Sequence, residues 1–259
     1  LIKNVMSLFE DFREIAVEAA KVAAEPLRLA VEGYRAIHLE EAHDVKLQAD
    51  LESERKIREF LTRLSPYPII GEEQGGDSTL WNEDQYYWVV DPLDGTYNYL
   101  REYPQCCVSI GLMKGREPQI GVVYDFNRSE VFTGGRNLPF EVNGVPHKPV
   151  WAESVEKACL TTGFPHEMKR DRESMQVFID RLLNYKKVRM IGSAALAVTY
   201  VCAGYFDVYY ETGIKLWDVA AGLAFAESVG ATVNLKPWDD KPLHFDIWMA
   251  GRPEFIVDS

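Results

Sequence analysis

The run Trp88-Val89-Val90-Asp91-Pro92-Leu93-Asp94-Gly95-Thr96 constrains this chain more than any other stretch. Three apolar residues read as a buried strand that ends on Asp91, and Pro92 and Gly95 shape the turn that follows. An exposed turn needs only one Asp. Two carboxylates at the end of a buried strand concentrate negative charge where water cannot screen it, and they call for a partner, most simply a hard cation.

The 259 residues suit one large domain or two tightly packed lobes with an ample core. With 28 basic against 40 acidic residues the net charge is −12, and no basic cluster stands out. Such a chain repels nucleic acid and anionic membrane, and it repels a phosphate substrate unless metal ions reverse the sign locally. No apolar run approaches the roughly 20 residues of a membrane span. The opening residues lack the apolar core and cleavage site of an export signal. Cys106, Cys107, Cys159 and Cys202 have no zinc-ligand spacing, and an adjacent pair bridges only through a strained ring. Reduced thiols in a cytoplasmic protein are the expectation.

Apolar positions recur at helical spacing over 4–31 and 45–64, and Ser65-Pro66 stops the second helix. A short strand over 67–70 runs into Gly71-Glu72-Glu73. After the 86–91 strand, runs at 106–113, 118–125 and 129–134 predict an antiparallel meander, and Glu141-Val142-Asn143-Gly144 signals a hairpin. Beyond a connector at 145–153, strands (157–162, 186–190, 205–211, 231–235) alternate with helices (168–184, 193–203, 217–229), which predicts a mixed sheet covered on both faces. The expected class is α+β or mixed α/β, with an N-terminal lobe over 1–144 and a C-terminal lobe over 145–259.

Three acidic loci sit where an element begins or ends: Glu72-Glu73, Asp91 with Asp94, and Asp218 after Trp217. Each alone has an ordinary reading, as a solvated pair, a turn or a helix cap. If they converge, the charge is about right for two or three divalent cations. With oxygen ligands only, Mg²⁺ is favoured and Mn²⁺ is possible, and paired ions can clamp a phosphate and activate water. A helix opening at Gly95-Thr96 would turn its N–H groups to a phosphate, with the Thr96 hydroxyl orienting water. Gly192-Ser193-Ala194 opens a helix in the same manner, either as a substrate contact or as a plain N-cap.

In this order the segments resemble the inositol monophosphatase superfamily of lithium-sensitive, magnesium-dependent phosphatases. The motifs that carry the resemblance are Gly71-Glu72-Glu73, Asp91-Pro92-Leu93-Asp94-Gly95-Thr96 and Trp217-Asp218-Val219-Ala220-Ala221-Gly222, supported by Gly121-Val122-Val123-Tyr124 and Gly192-Ser193-Ala194-Ala195. The resemblance implies a layered α-β-α-β-α sandwich of the sugar-phosphatase type and a homodimer. It implies that Glu72, Asp91 and the Leu93 carbonyl bind one Mg²⁺, that Asp91, Asp94 and Asp218 bind a second, and that Glu72 holds a third through water. Thr96, supported by Asp50, would activate the nucleophilic water beside Glu72. Gly95 and Thr96 would take the phosphate, Gly192, Ser193 and Ala194 would line the substrate side, and Glu211 would hold a substrate hydroxyl. One departure is Lys46 where the family usually carries Thr; another is Glu41-Ala42-His43 where a basic residue is usual.

The expected activity is therefore Mg²⁺-dependent hydrolysis of a small polyol or sugar phosphate, with inositol 1-phosphate leading. Alternatives are 3′-phosphoadenosine 5′-phosphate, fructose 1,6-bisphosphate and histidinol phosphate. Asp239-Asp240-Lys241-Pro242-Leu243 resembles the nucleotidase branch. From another class comes a metal-binding regulatory partner protein, which the complete set of acids disfavours. Asp94→Asn is expected to abolish turnover and leave the fold intact.

Overall fold

A computed structural model describes residues 2–30, 33–40, 45–164 and 171–257. Helix α1 (Ile2–Arg28) precedes an antiparallel pair, β1 (Ile37–Glu40) and β2 (Val45–Leu47), and helix α2 (Gln48–Leu64). Strands β3 (Ile69–Gly71) and β4 (Tyr86–Asp94) and the short helix α3 (Thr96–Leu100) follow. Next comes the meander β5 (Cys107–Lys114), β6 (Glu117–Asp125), β7 (Glu130–Gly135), β8 (Leu138–Val142) and β9 (Val145–Pro146). The second half runs β10 (Cys159–Thr162), α4 (Arg172–Leu182), β11 (Lys187–Arg189), α5 (Ala194–Cys202), β12 (Val208–Lys215), α6 (Leu216–Val229), β13 (Thr232–Pro237) and β14 (His244–Ala250).

Strands β3 to β9 form one seven-stranded sheet in sequence order, antiparallel except for the parallel β3–β4 pair. The second sheet has the order β11-β10-β12-β14-β13, parallel on one side and antiparallel on the other. Strand alternation sorts side chains to opposite faces. Trp88 and Val90 of β4 pack with Phe12, Ala16, Ile57 and Leu61 of the outer helices, while Tyr87 and Val89 face a core shared with α5 and α6. That shared core also takes Tyr209, Ile247 and Met249 from the second sheet. The opposite face of this sheet buries Leu160, Val208, Tyr210 and Trp248 against Phe178 of α4. The layers are therefore α, β, α, β, α, as the resemblance implies.

Helix α6 is apolar around most of its circumference because both of its sides meet a sheet. It approaches the seven-stranded sheet closely: a Cβ on Gly121 would lie 2.3 Å from the Ala221 carbonyl oxygen.

Several elements differ from the sequence reading: β1 is unforeseen, β9 takes Val145–Pro146 from the expected connector, and β12 runs past 211 to Lys215. Helix α2 starts at Gln48 rather than 45, because the Asp50 carboxylate accepts the Leu47 N–H at 2.6 Å and caps the helix there, leaving Val45–Leu47 to pair with β1. Strand β14, unforeseen, lies between β12 and β13. Residues 41–44, the departure noted in the sequence, and 168–170, the expected start of α4, lie outside the described residues.

Candidate active site

Asp91 and Asp94 are separated by an odd number of positions, so in a regular strand they would face opposite sides of the sheet. The register between β4 and β5 slips between the Asp91–Ser109 and Asp94–Cys107 pairs, and Pro92 and Leu93 absorb the extra length. This bulge brings both carboxylates to one side. The Leu93 N–H donates to Asp91 Oδ1 at 3.1 Å, and Gly95 turns the chain with φ 87° into α3.

Asp218 is the third residue of α6, and its carboxylate accepts the Lys215 N–H at 2.9 Å. Oxygens of Asp91, Asp94 and Asp218 all lie within 4.8 Å of one another. Burial pushes all three carboxyls above the usual range. The charges of Glu72 and Asp94 push Asp91 and Asp218 further, and that of Asp218 adds to the shift on Asp91. Carboxylates this close cannot all ionise without a counter-charge, and a set of buried oxygens with no sulfur or imidazole fits a hard divalent cation.

Asp94 has partners the sequence does not announce. The Ser193 hydroxyl donates to Oδ2, the Ala195 N–H donates to Oδ2 at 2.9 Å, and the Ala194 N–H donates to Oδ1 at 3.2 Å. Ser193 also caps α5. The Gly192-Ser193-Ala194 segment thus holds a carboxylate of the acidic cluster. Asn98 ties α3 to it by donating to the Ile191 and Gly192 carbonyls at 2.8 and 3.1 Å. The Cys107 thiol lies 3.8 Å from Asp94 Oδ2.

The Thr96 hydroxyl is 2.9 Å from Asp50 Oδ1 and 3.0 Å from the Leu93 carbonyl oxygen. Both neighbours are acceptors, so the single hydroxyl proton is committed between them, and the oxygen lone pairs are left to accept from water. Burial pushes Asp50 up to about 7, with Glu72 and Glu73 adding to the shift and the Leu47 and Thr96 hydrogen bonds opposing it.

Glu72 lies beside the cluster, 3.8 Å from the Lys215 ammonium. Glu73 accepts from Lys46 Nζ at 2.8 Å, so the residue that departs from the family pattern holds the second of the two acids. Glu211 follows the buried Val208–Tyr210 run of β12, and its carboxylate accepts the Tyr209 hydroxyl at 2.7 Å. Burial, reinforced by the Asp94 charge, pushes it up to about 7 against the Tyr209 and Gly163 hydrogen bonds. The sequence reading misses Lys215, Asn98 and Cys107. Of these, only Lys215 carries a signal, lying one helical turn ahead of Asp218.

A model of the inositol monophosphatase family matches residues 9–242. A Nus factor SuhB of Xylella fastidiosa is 35% identical over 223 residues, covering 85% of this chain and 80% of the relative. A fructose-1,6-bisphosphatase/inositol-1-monophosphatase of Aquifex aeolicus is 32% identical, with 89% and 88% covered. The solved structure of an inositol monophosphatase from Anabaena (Nostoc) sp. PCC 7120 is 33% identical and superposes with a TM-score of 0.78 over 93% of this chain and 91% of that one. With the match running almost the full length and the fold in agreement, this chain is a phosphatase and belongs to the inositol monophosphatase family.

Proposed function

We propose that this phosphatase hydrolyses a small polyol or sugar phosphate, inositol 1-phosphate first among them, with Mg²⁺ as cofactor. The observation that carries the reading is the convergence of Asp91, Asp94 and Asp218 within 4.8 Å, with the Asp50–Thr96 pair beside them. Asp91, Asp94, Asp218, Glu72 and the Leu93 carbonyl would hold two to three ions, with Mn²⁺ as a substitute. Bound there, the ions would supply positive charge for the phosphate and acidify an attacking water.

The protein's own groups do the rest. Thr96 accepts one hydrogen of the water and fixes its direction, because Asp50 and Leu93 occupy its own proton. Glu72 takes the other proton as the water attacks phosphorus; the P–O ester bond breaks on the opposite side, and the departing alkoxide takes a proton from solvent water to leave as the free alcohol. The Gly95 and Thr96 amides receive phosphate oxygens at the start of α3. Ser193, Ala194 and Ala195 keep Asp94 aimed into the centre. Glu211 would accept a hydroxyl of the polyol, and this residue favours inositol over the nucleotide substrate.

Fructose 1,6-bisphosphate is the second reading, favoured by the name of the Aquifex relative. Released phosphate measured with Mg²⁺ on inositol 1-phosphate, fructose 1,6-bisphosphate, 3′-phosphoadenosine 5′-phosphate and histidinol phosphate tests the proposal. Inositol 1-phosphate should have the highest kcat/KM, and Glu211→Gln should lower that value. Equal, feeble rates on all four would overturn the inositol assignment.

A further inference from the structure

One face of α2 grips every segment on the nucleophile side of the site. Ser53 and Glu54 stand three and four residues after Asp50, and Arg58 four after Glu54, so all four share that face. Asp50 reaches Thr96, and the Ser53 hydroxyl donates to the Pro92 carbonyl at 2.8 Å, inside the bulge between Asp91 and Asp94. Glu54, whose side chain is fully buried, reaches the loop after β3. Its Oε2 accepts the Glu73 N–H at 2.7 Å, and its Oε1 accepts the Gln74 N–H at 3.1 Å and Arg58 Nε at 2.6 Å. Arg58 then closes the loop from below, donating through Nη2 to the Gly75 carbonyl at 2.6 Å and through Nη1 to the Ile69 carbonyl at 3.4 Å. A Cβ on Gly71 would lie 2.4 Å from Glu54 Oε1, so the carboxylate is seated directly against the backbone that carries Glu72.

We infer that Glu54 and Arg58 are positioning residues for Glu72: an ion pair between a buried carboxylate and a half-buried guanidinium that fixes the Glu72-Glu73-Gln74 loop against α2, so that the proton-accepting carboxylate keeps one distance to Thr96. The physical reason is geometric. Glu72 stands just past the end of β3, where its N–H donates to the Val90 carbonyl at 3.2 Å. The two amides that follow it are held by charge-assisted bonds to Glu54, which are shorter and stronger than neutral ones. Asp50 and Glu54 sit one turn apart on a rigid helix, so the Thr96 and Glu72 sides of the attacking water are set by a single element. The inference rests on the role proposed above for Glu72.

Three readouts test it on Glu54→Gln and Arg58→Met, with Leu61→Ala, on the same helix but in the apolar core, as the stability control. Hydrogen exchange at the Glu73 and Gln74 amides, read without metal or substrate, should accelerate at least about 10-fold. Mn²⁺ affinity and kcat on inositol 1-phosphate should each fall about 10- to 100-fold, the range typical of residues that orient metal ligands, while KM holds. Arg58→Lys, which keeps the charge and loses the fork, should fall between. The inference is overturned if the folded variants match the wild type in exchange and Mn²⁺ affinity. It is also overturned if Leu61→Ala, at an equal loss of Tm, reproduces the changes. Should Glu54→Gln fail to fold, Arg58→Met decides on the same criteria. A wild type that turns over none of the four phosphates would refute the proposed substrate, while the exchange and Mn²⁺ results would still decide the role of the pair.

Discussion

Asp91 and Asp94 stand three residues apart, yet the protein holds them differently. Asp91 accepts only the Leu93 N–H among the described residues, while Asp94 accepts a hydroxyl and two amides of the α5 terminus. Asp91→Asn should remove a charge that crowds its neighbours, raising the Tm of the chelated protein by a few degrees while abolishing the stabilisation by Mg²⁺. Asp94→Asn should do the opposite to stability, because its amide N–H₂ would face an N–H donor, leaving about 1–3 kcal/mol of unmet hydrogen bonding. Both should lower kcat by at least about 100-fold, and thermal melts with and without chelator separate the two. The sequence reading separates the pair only by ligand count, Asp91 serving two ions and Asp94 one, and it expects Asp94→Asn to spare the fold. The difference comes from Ser193, almost a hundred positions away, whose pairing no local pattern encodes. The same holds for Glu72 and Glu73: adjacent letters, one beside the acidic cluster and one committed to Lys46.

The elements most legible in the sequence are the amphipathic face of α1 and the apolar runs of β5, β6 and β7, which are buried on both faces and bounded by turn residues at 114–116 and 126–128. Strand β14 escapes because it follows a turn-rich segment and the polar His244 and Asp246 interrupt its apolar start. Helix α6 shows what layering demands. Its contact with the seven-stranded sheet runs through Gly121, where any side chain meets the Ala221 carbonyl. Gly121→Ala should cost about 1–3 kcal/mol, measured as a drop in denaturation midpoint. Because α6 carries Asp218, the same substitution should weaken Mn²⁺ binding, although residue 121 touches no ligand. Unchanged Mn²⁺ affinity in a destabilised variant would show that α6 absorbs the strain elsewhere.

Taken as a whole, the molecule stores uncompensated negative charge. Asp50 and Glu211 are pushed up to about 7, and Asp91, Asp94 and Asp218 also lie above their usual range. In the unfolded chain these carboxyls titrate near 4. Between about pH 4 and 7 the folded state therefore binds more protons than the unfolded one, and stability falls as pH rises through that window. The chelated protein should melt lower at pH 8 than at pH 5. Mg²⁺ should raise Tm more at pH 8, where the ligands are ionised. A chelated Tm that is flat over this range would contradict the assigned shifts.

The middle layer has a last consequence. Helices α5 and α6 follow the 145–153 connector in sequence, yet they fill the space against strands that precede it. Val145, in β9, and Val150, just beyond it, are exposed. A chain cut near residue 150 should yield two pieces with complementary sticky faces, Asp50, Glu72, Asp91 and Asp94 on one and Glu211 and Asp218 on the other. Produced separately, neither should turn over substrate; mixed, their activity should grow with the product of their concentrations until the pairing saturates. The layered sandwich would then serve as a two-part reporter, silent until its halves meet.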